Sequence, residues 1–176
     1  MASLSFLENK LVYHGSNVEV KNIELGKCRP RRDFGVAFYL TTSEKQAISW
    51  AKTKKNRFKS NKAVLNVFRV ISFGALEHES KIFPYTNEEW LDFILFNRFA
   101  WSGHEFAPFH VVFGPVADDD ADTVLSLYLQ GAYDHFGVEK VSATISFLET
   151  KNLVNQLALC TMEAVACVKH VRSTVL

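Results

Sequence analysis

Residues 33–51 read DFGVAFYLTTSEKQAISWA and combine a turn, a strand and the start of a helix. The apolar, aromatic and β-branched run at 36–41 predicts a strand. Thr42 or Ser43 is suited to cap a helix, and apolar residues at helical spacing predict that helix over residues 44–52. This stretch therefore passes from a strand directly into an amphipathic helix.

Further strands and helices are predicted on both sides of this unit. Apolar, β-branched runs predict strands at 11–14, 63–71, 109–113 and 154–161. Helix signals, including the T-x-x-E capping box of Thr86 and Glu89, predict helices at 86–99 and 118–132 and a helical turn at 162–168. The basic run at 52–62 is typical of a solvated loop. These elements mix without a regular βαβ rhythm, which favours an α+β domain with a largely antiparallel sheet.

The composition is that of one globular domain. The chain has 176 residues, 48% of them hydrophobic and 22% charged, so residues 1–176 are expected to form a single domain with its own core. Twenty basic and nineteen acidic residues give a net charge of +1, which argues against a dedicated nucleic-acid binder. No secretion signal and no apolar run near ~18 residues is present. We therefore expect a cytoplasmic protein, or one delivered into a target cell without a cleaved signal.

The motifs of several common site classes do not occur. Eight glycines never form the G-x-G-x-x-G of a Rossmann fold, and neither a phosphate-binding P-loop nor a G-x-S-x-G nucleophile elbow is found. The six histidines lack metal-ligand spacing, and Cys28, Cys160 and Cys167 contain no C-x-x-C pair. We therefore expect neither a bound metal nor a disulfide framework.

Three short motifs follow one another along the chain: Tyr13-His14-Gly15-Ser16, the segment at 33–42, and Asn155-Gln156 at the start of a late strand. Trp50 follows Tyr39 by 11 residues. In this order and spacing the chain resembles the ADP-ribosyltransferase superfamily, on the branch with a His-Tyr-Glu signature that includes the poly(ADP-ribose) polymerases. Over residues 11–170 it is similar to small bacterial ADP-ribosyltransferase-like domains of uncharacterised function. The further landmarks of that group are WLDF at 90–93, NR at 97–98 and GPVADD at 114–119.

The resemblance implies an ADP-ribosyltransferase-like fold with two small, mostly antiparallel sheets around an NAD cleft and with flanking helices. It implies that His14 bonds the adenosine ribose and that the Gly15 backbone holds the nicotinamide carboxamide. A residue without Cβ allows such a close backbone approach. Tyr39 and Trp50 would stack on the two faces of the nicotinamide ring.

Other positions complete the expected NAD site. Gln46 falls where the polymerases place a serine against the carboxamide. Arg29, Arg31 and Arg32 are placed near the pyrophosphate by charge alone, because guanidinium groups bind phosphate in bidentate fashion. The full set expected to bind NAD is His14, Gly15, Ser16, Arg32, Gly35, Tyr39, Gln46 and Trp50.

The catalytic positions that the resemblance implies are His14, Tyr39 and Gln156, and the last departs from the family pattern. The polymerases have a glutamate here, which holds the nicotinamide ribose and stabilises positive charge at the anomeric carbon. A glutamine accepts the same hydrogen bond without a negative charge, and losing one such electrostatic group typically costs about 10²–10³ in rate. Glu163, the acidic run at 118–120 or the acceptor itself would have to supply a carboxylate.

The function implied by the resemblance is an NAD-dependent mono-ADP-ribosyltransferase, a glycosyltransferase with NAD as its substrate and no metal. Its partners would be NAD and a macromolecular acceptor, protein rather than nucleic acid, and no membrane. As a toxin or effector it would also meet an antitoxin or a host protein. Two alternatives stay open: a pseudoenzyme that binds NAD, ADP-ribose or a partner protein, and an NAD-dependent RNA 2′-phosphotransferase of the same superfamily.

Overall fold

The computed structural model describes residues 3–100, 108–117, 121–148 and 155–176. Within these ranges the strands are β1 (Leu11–Ser16), β2 (Phe38–Thr41), β3 (Val64–Val70), β4 (Ser80–Ile82), β5 (Val111–Pro115), β6 (Asn155–Leu159) and β7 (Val168–Val175). The helices are α1 (Glu44–Arg57), α2 (Glu88–Phe99), α3 (Ala121–Leu129), α4 (Lys140–Leu148) and α5 (Met162–Ala166). Each predicted strand and helix has a counterpart here, with bounds that differ by a few residues. None of the described helices has both the length and the apolar character that a bilayer span needs.

The described strands form one mixed sheet in the order β4-β5-β6-β2-β1-β3-β7. All neighbours are antiparallel except β4 and β5, which are parallel. The prediction of an α+β fold with a largely antiparallel sheet is therefore confirmed. The expectation of two separate sheets differs from this structure, because β1 and β2 join the two halves into one sheet.

The junction between β1 and β2 is much weaker than its neighbours. β1 aligns with β3 over six residue pairs, from Leu11↔Arg69 to Ser16↔Val64. It aligns with β2 at a single pair, Tyr13↔Thr41. One half of the sheet (β4, β5, β6 and β2) and the other half (β1, β3 and β7) therefore meet along a seam with little backbone pairing.

Helix α1 is longer than predicted. Ser43 caps its start, since the Ser43 hydroxyl accepts a hydrogen bond from the Gln46 amide over 3.3 Å. The helix continues to Arg57, so the prediction of a solvated loop from residue 52 is wrong for residues 52–57. Lys54, Lys55 and Arg57 lie in the last turn, where positive charge is favoured by the helix dipole.

The structure corrects one predicted helix cap and adds three elements that the sequence did not predict. The N-cap of α2 is Asn87, whose side chain accepts from the Trp90 amide over 2.9 Å, and not Thr86 as predicted. β4, β7 and α4 were not predicted. The first two are the outer strands of the sheet, and β7 is a largely polar strand with mostly half-buried or exposed side chains, so it lacks a strong apolar signal.

The core lies on both faces of the sheet. Side chains alternate across a strand, so Val111 and Leu157 join one apolar cluster while Val112 and Ala158 join the other. The second cluster packs against α2, whose residues Trp90, Leu91, Phe93, Ile94 and Leu95 are buried. Val12 of β1 and Leu40 of β2 both lie in the first cluster, so core packing spans the seam on that face of the sheet.

Candidate functional site

A cavity of about 890 Å³ opens at the seam between β1 and β2. This volume is within the range of small-molecule sites, which is roughly 300–1,000 Å³. Seven residues that the sequence singled out line it, from both halves of the sheet, from α1 and from the loop between β1 and β2: His14, Ser16, Arg29, Arg32, Tyr39, Trp50 and Gln156. The cavity therefore brings together residues that are up to 142 positions apart in the sequence, from position 14 to position 156.

His14 connects the two strands of the seam. Its Nδ1 lies 2.7 Å from the main-chain oxygen of Tyr39, and its ring stacks on Phe38 with centroids 4.4 Å apart. Burial, together with the Lys54 charge, lowers the pKa of His14 to about 3, so the ring is neutral near pH 7. Because a carbonyl only accepts, Nδ1 donates and Nε2 is left as an acceptor. His14 thus offers a neutral hydrogen-bond acceptor to a ligand in the cavity.

Tyr39 presents its ring and holds a turn with its hydroxyl. The hydroxyl donates to the Gly35 carbonyl over 2.9 Å and accepts from the Phe34 amide over 3.1 Å. Burial raises the pKa of Tyr39 well above its usual value, which keeps the hydroxyl protonated. Its polar group is therefore engaged inside the protein, and the aromatic ring is the part available to a ligand.

Asp33, in the same turn, is the centre of a buried network. It is 4% exposed, and its carboxylate accepts from Arg98 Nε over 2.5 Å and from the Ala117 amide over 2.8 Å. Arg98 reaches on to Asp122 of α3. Burial raises the pKa of the Asp33 carboxyl, and the Arg98 guanidinium opposes that shift. The only described carboxylate buried in the cavity wall is thus committed to an ion pair.

The same network brings three of the sequence motifs, at 33–35, 90–98 and 114–117, together in space. Asn97 donates from Nδ2 to the Asp33 carbonyl over 3.1 Å, and Trp90 donates from Nε1 to the Pro115 carbonyl over 2.8 Å. Gly35 has a φ of +78°, and a side chain there would lie 2.8 Å from Asn97 Oδ1. Residues of the 33–35, 90–98 and 114–117 segments are therefore joined into one wall of the cavity.

One face of α1 forms another wall. Trp50, Thr53, Lys54 and Arg57 follow the helical spacing i, i+3, i+4 and i+7, and all four line the cavity. The Lys54 ammonium donates to the Gly15 carbonyl over 2.7 Å. Burial, with the nearby Arg32 and Arg29 charges, lowers the pKa of Lys54 to about 8.

The adjacent side of α1 lies directly on β1. Ala47 and Ala51 are fully buried there. A Cβ at Gly15 would lie 2.0 Å from the Ala47 carbonyl oxygen and 2.8 Å from the Ala51 amide nitrogen. Gly15 is thus required for helix packing, and it does not line the cavity.

Gln156 lies on β6 at the floor of the cavity. It pairs in register with Thr41 of β2 and with Gly114 of β5, and it is 4% exposed. Among the described residues, none hydrogen-bonds its side-chain amide, which lines the cavity. Its polar atoms are open to the cavity, so the amide can exchange hydrogen bonds with a ligand there.

Several residues singled out by the sequence lie away from the cavity lining. Gly15 and Gly35 shape the backbone, as described above. Gln46 accepts a hydrogen bond from the Thr41 hydroxyl over 2.6 Å, and Arg31 is exposed. Glu163 is exposed in the first turn of α5, where it supplies no carboxylate to the cavity. The run at 118–120 lies outside the described residues.

The residues missed by sequence reasoning are basic side chains and their partners. Lys54 and Arg57 were assigned to a solvated loop, although their spacing from Trp50 would have placed them on its helix face. Asp33 and Arg98 are 65 positions apart, and no local pattern reports such an ion pair.

Comparisons with known proteins assign the chain to a family. No curated protein and no solved structure matches it. A family model matches from the first residue of β1 to a residue within β7, a segment that contains the whole cavity lining. Residues 11–170 match the family described as "protein of unknown function (DUF3990)", and the chain belongs to that family.

Proposed function

We propose that the protein is an NAD-dependent mono-ADP-ribosyltransferase. The observation that carries this proposal is the convergence of His14, Tyr39, Trp50 and Gln156 on one cavity. An acceptor nitrogen, two aromatic rings and an unpartnered amide suit a ligand with sugar hydroxyls and a flat heterocycle. The basic side chains of the lining suit its phosphates.

Each side chain then has a role that its surroundings allow. The rings of Tyr39 and Trp50 hold the nicotinamide, and the unprotonated Nε2 of His14 accepts from a ribose hydroxyl. The Gln156 side chain bonds the hydroxyls of the nicotinamide ribose. The bond between the nicotinamide nitrogen and the anomeric carbon breaks, nicotinamide leaves with the bonding pair, and a nucleophile of the acceptor forms the new bond while losing its proton. We place that acceptor among proteins.

A second candidate function is a binding protein with the same cavity and no turnover. It is favoured by the neutral amide of Gln156 where a charged group would stabilise the reacting sugar. Asp33 does not replace that charge, since Arg98 and the Ala117 amide already hold its carboxylate. NAD or ADP-ribose would then be held without being consumed.

Binding and transfer should be measured separately. Calorimetry with NAD tests the cavity, and labelled NAD with candidate acceptors tests transfer and nicotinamide release. Trp50→Ala should weaken NAD binding, whereas Tyr85→Ala, at an exposed aromatic outside the cavity lining, should not. Binding without nicotinamide release supports the second function, and an absence of binding to both NAD and ADP-ribose rejects both.

A further inference from the structure

Four basic side chains of the cavity have no carboxylate partner in the described parts of the chain. Arg29 and Arg32 come from the loop between β1 and β2, and Lys54 and Arg57 lie one turn apart on α1. Arg29 lies over the Phe58 ring, 5.1 Å from its centroid. The four thus line the cavity from two elements and leave several positive charges facing it.

The carboxylates that line the cavity do not neutralise them. In the described structure these carboxylates are taken up by other cations, in the ion pairs Glu19–Lys21, Glu24–Lys27, Asp33–Arg98 and Asp122–Arg98. The described lining has seven lysine and arginine side chains and four carboxylates, so a net positive charge faces the cavity.

Lys54 is the most buried of the four and has the least favourable surroundings. Its ammonium meets a neutral carbonyl, that of Gly15, while Arg29 and Arg32 lie close enough to repel it. The thiol of Cys28 and the neutral ring of His14 are the other titratable groups that face it. An uncompensated buried charge is destabilising, and such arrangements are concentrated at functional sites. An anion bound here would supply the missing partner.

We propose that Lys54, Arg29, Arg32 and Arg57 form a phosphate subsite for a nucleotide, and that anion binding there is coupled to proton uptake by Lys54. The inference rests on the proposed function for the identity of the nucleotide. The arrangement of charges is independent of whether ADP-ribose is transferred. A diphosphate suits the subsite because it carries two anionic groups and the cations come from two parts of the chain.

The coupling to protons follows from the environment of Lys54. In the free cavity its pKa is about 8, so the ammonium loses its proton as the pH rises from 7.5 to 9. A bound diphosphate favours the charged amine and raises that pKa, so binding takes up a proton in this range. Affinity therefore falls as pH rises. Ionisation of the Cys28 thiol, whose pKa is raised by burial, acts in the same direction only at higher pH.

The first measurement uses inorganic pyrophosphate at pH 7.5 and low ionic strength, by calorimetry on the full chain. Lys54→Gln should weaken its binding by about 10- to 100-fold, the loss expected for a charged hydrogen bond. Arg57→Gln should weaken it by a smaller factor, since Arg57 is exposed. Lys169→Gln, at an exposed position on β7, is the matched control and should leave binding unchanged.

The second measurement uses ADP-ribose, whose diphosphate does not titrate between pH 7.5 and 9. The wild-type affinity should fall about fivefold or more across this range, whereas that of Lys54→Arg should change less than about twofold, because arginine stays charged. Thermal unfolding without ligand checks the fold of each variant. Lys54→Gln should unfold no earlier than the wild type, because it removes an uncompensated buried charge.

The outcomes separate this inference from the proposed function. Pyrophosphate binding that depends on Lys54, in a protein that transfers no ADP-ribose, supports the subsite and rejects the transferase. ADP-ribose transfer with anion affinities that do not change in Lys54→Gln rejects the subsite alone. An absence of pyrophosphate binding, or an identical pH dependence in Lys54→Arg and wild type, also overturns the inference.

Discussion

His14 and Tyr39 are tied together across the seam of the sheet: the imidazole Nδ1 donates to the Tyr39 carbonyl over 2.7 Å. β1 and β2 have one aligned residue pair, so this side-chain bond adds a second link between the halves of the sheet. It also fixes which histidine nitrogen faces a ligand. One hydrogen bond therefore links the two strands at the seam, sets the tautomer of the neutral histidine and holds it next to Tyr39.

The protonation of His14 should make the protein sensitive to acid. Its pKa of about 3 in the folded protein lies below the ordinary histidine value of 6.5, so the unfolded chain binds the extra proton as pH falls from 6.5 towards 3. His14 thus contributes stability above pH 6.5 that is lost in this window, at about 1.4 kcal/mol per pH unit. Urea unfolding between pH 4 and 7 measures how steeply the free energy of unfolding falls with pH. In His14→Asn this fall should be smaller by about 1.4 kcal/mol per pH unit between pH 4 and 6. His78→Asn, at an exposed histidine, should keep the wild-type slope, and equal slopes in all three proteins would contradict a buried neutral His14.

Tyr39→Phe should separate the two roles of that residue. The change keeps the ring but leaves the Phe34 amide and the Gly35 carbonyl without their partner, which should lower the free energy of unfolding by about 1–3 kcal/mol. Denaturant titration measures the loss, with exposed Tyr85→Phe as the control. NAD binding should weaken less in Tyr39→Phe than in Tyr39→Ala. The reverse order would show that the hydroxyl, and not the ring, meets the ligand.

Breaking the Asp33–Arg98 ion pair should strongly destabilise the folded protein. Arg98→Met leaves a buried carboxylate without its cation and should lower the free energy of unfolding by about 3–5 kcal/mol. The exposed Arg172→Met should have little effect. Adding Asp33→Asn to Arg98→Met should recover part of the loss, because the uncompensated charge is then gone. A double variant no more stable than Arg98→Met would argue against charge burial as the cause.

Gly15→Ala tests why this glycine is needed. The new Cβ would overlap the backbone of α1 at Ala47, and backbone cannot yield as a flexible side chain does. The free energy of unfolding should fall by at least about 1–3 kcal/mol, with a loss of ligand binding as α1 shifts. At Gly26 a Cβ meets nothing within 4 Å, so Gly26→Ala should leave both measurements unchanged. Full stability in Gly15→Ala with binding alone lost would instead indicate direct backbone contact with the ligand.

Gln156→Glu distinguishes the two candidate functions. If the cavity breaks the nicotinamide–ribose bond and lacks only a charge, the transfer rate should rise by about 10²–10³. Labelled NAD with a fixed acceptor measures the rate, and Gln130→Glu, at an exposed glutamine, is the matched control. An unchanged rate with intact NAD binding would favour the binding protein.

Much of the local structure could be predicted from the sequence because its signals are local. The passage from a strand at 36–41 into a helix at 44 depends on β-branched and aromatic residues followed by a cap, and it forms as β2 and α1. Strands at the outer positions of the sheet were missed since they carry few apolar residues on either face. The C-terminal turn of α1 was missed because its residues are basic. The preceding turns pack Ala47 and Ala51 against Gly15, and Lys54 bonds the Gly15 carbonyl, which holds the helix on β1.

The candidate site, too, could be predicted only in part from the sequence. Residue types, their order and the interval between Tyr39 and Trp50 can be read from the chain alone, and through a family resemblance they lead to the expectation of a nucleotide site. The folded protein is needed to show that His14, Tyr39, Trp50 and Gln156 share one cavity, that Gly15 faces a helix, and that Asp33 pairs with Arg98. Hydrogen-bond capping and apolar periodicity act between near neighbours in the chain. Cavities and buried charge pairs depend on where distant strands meet.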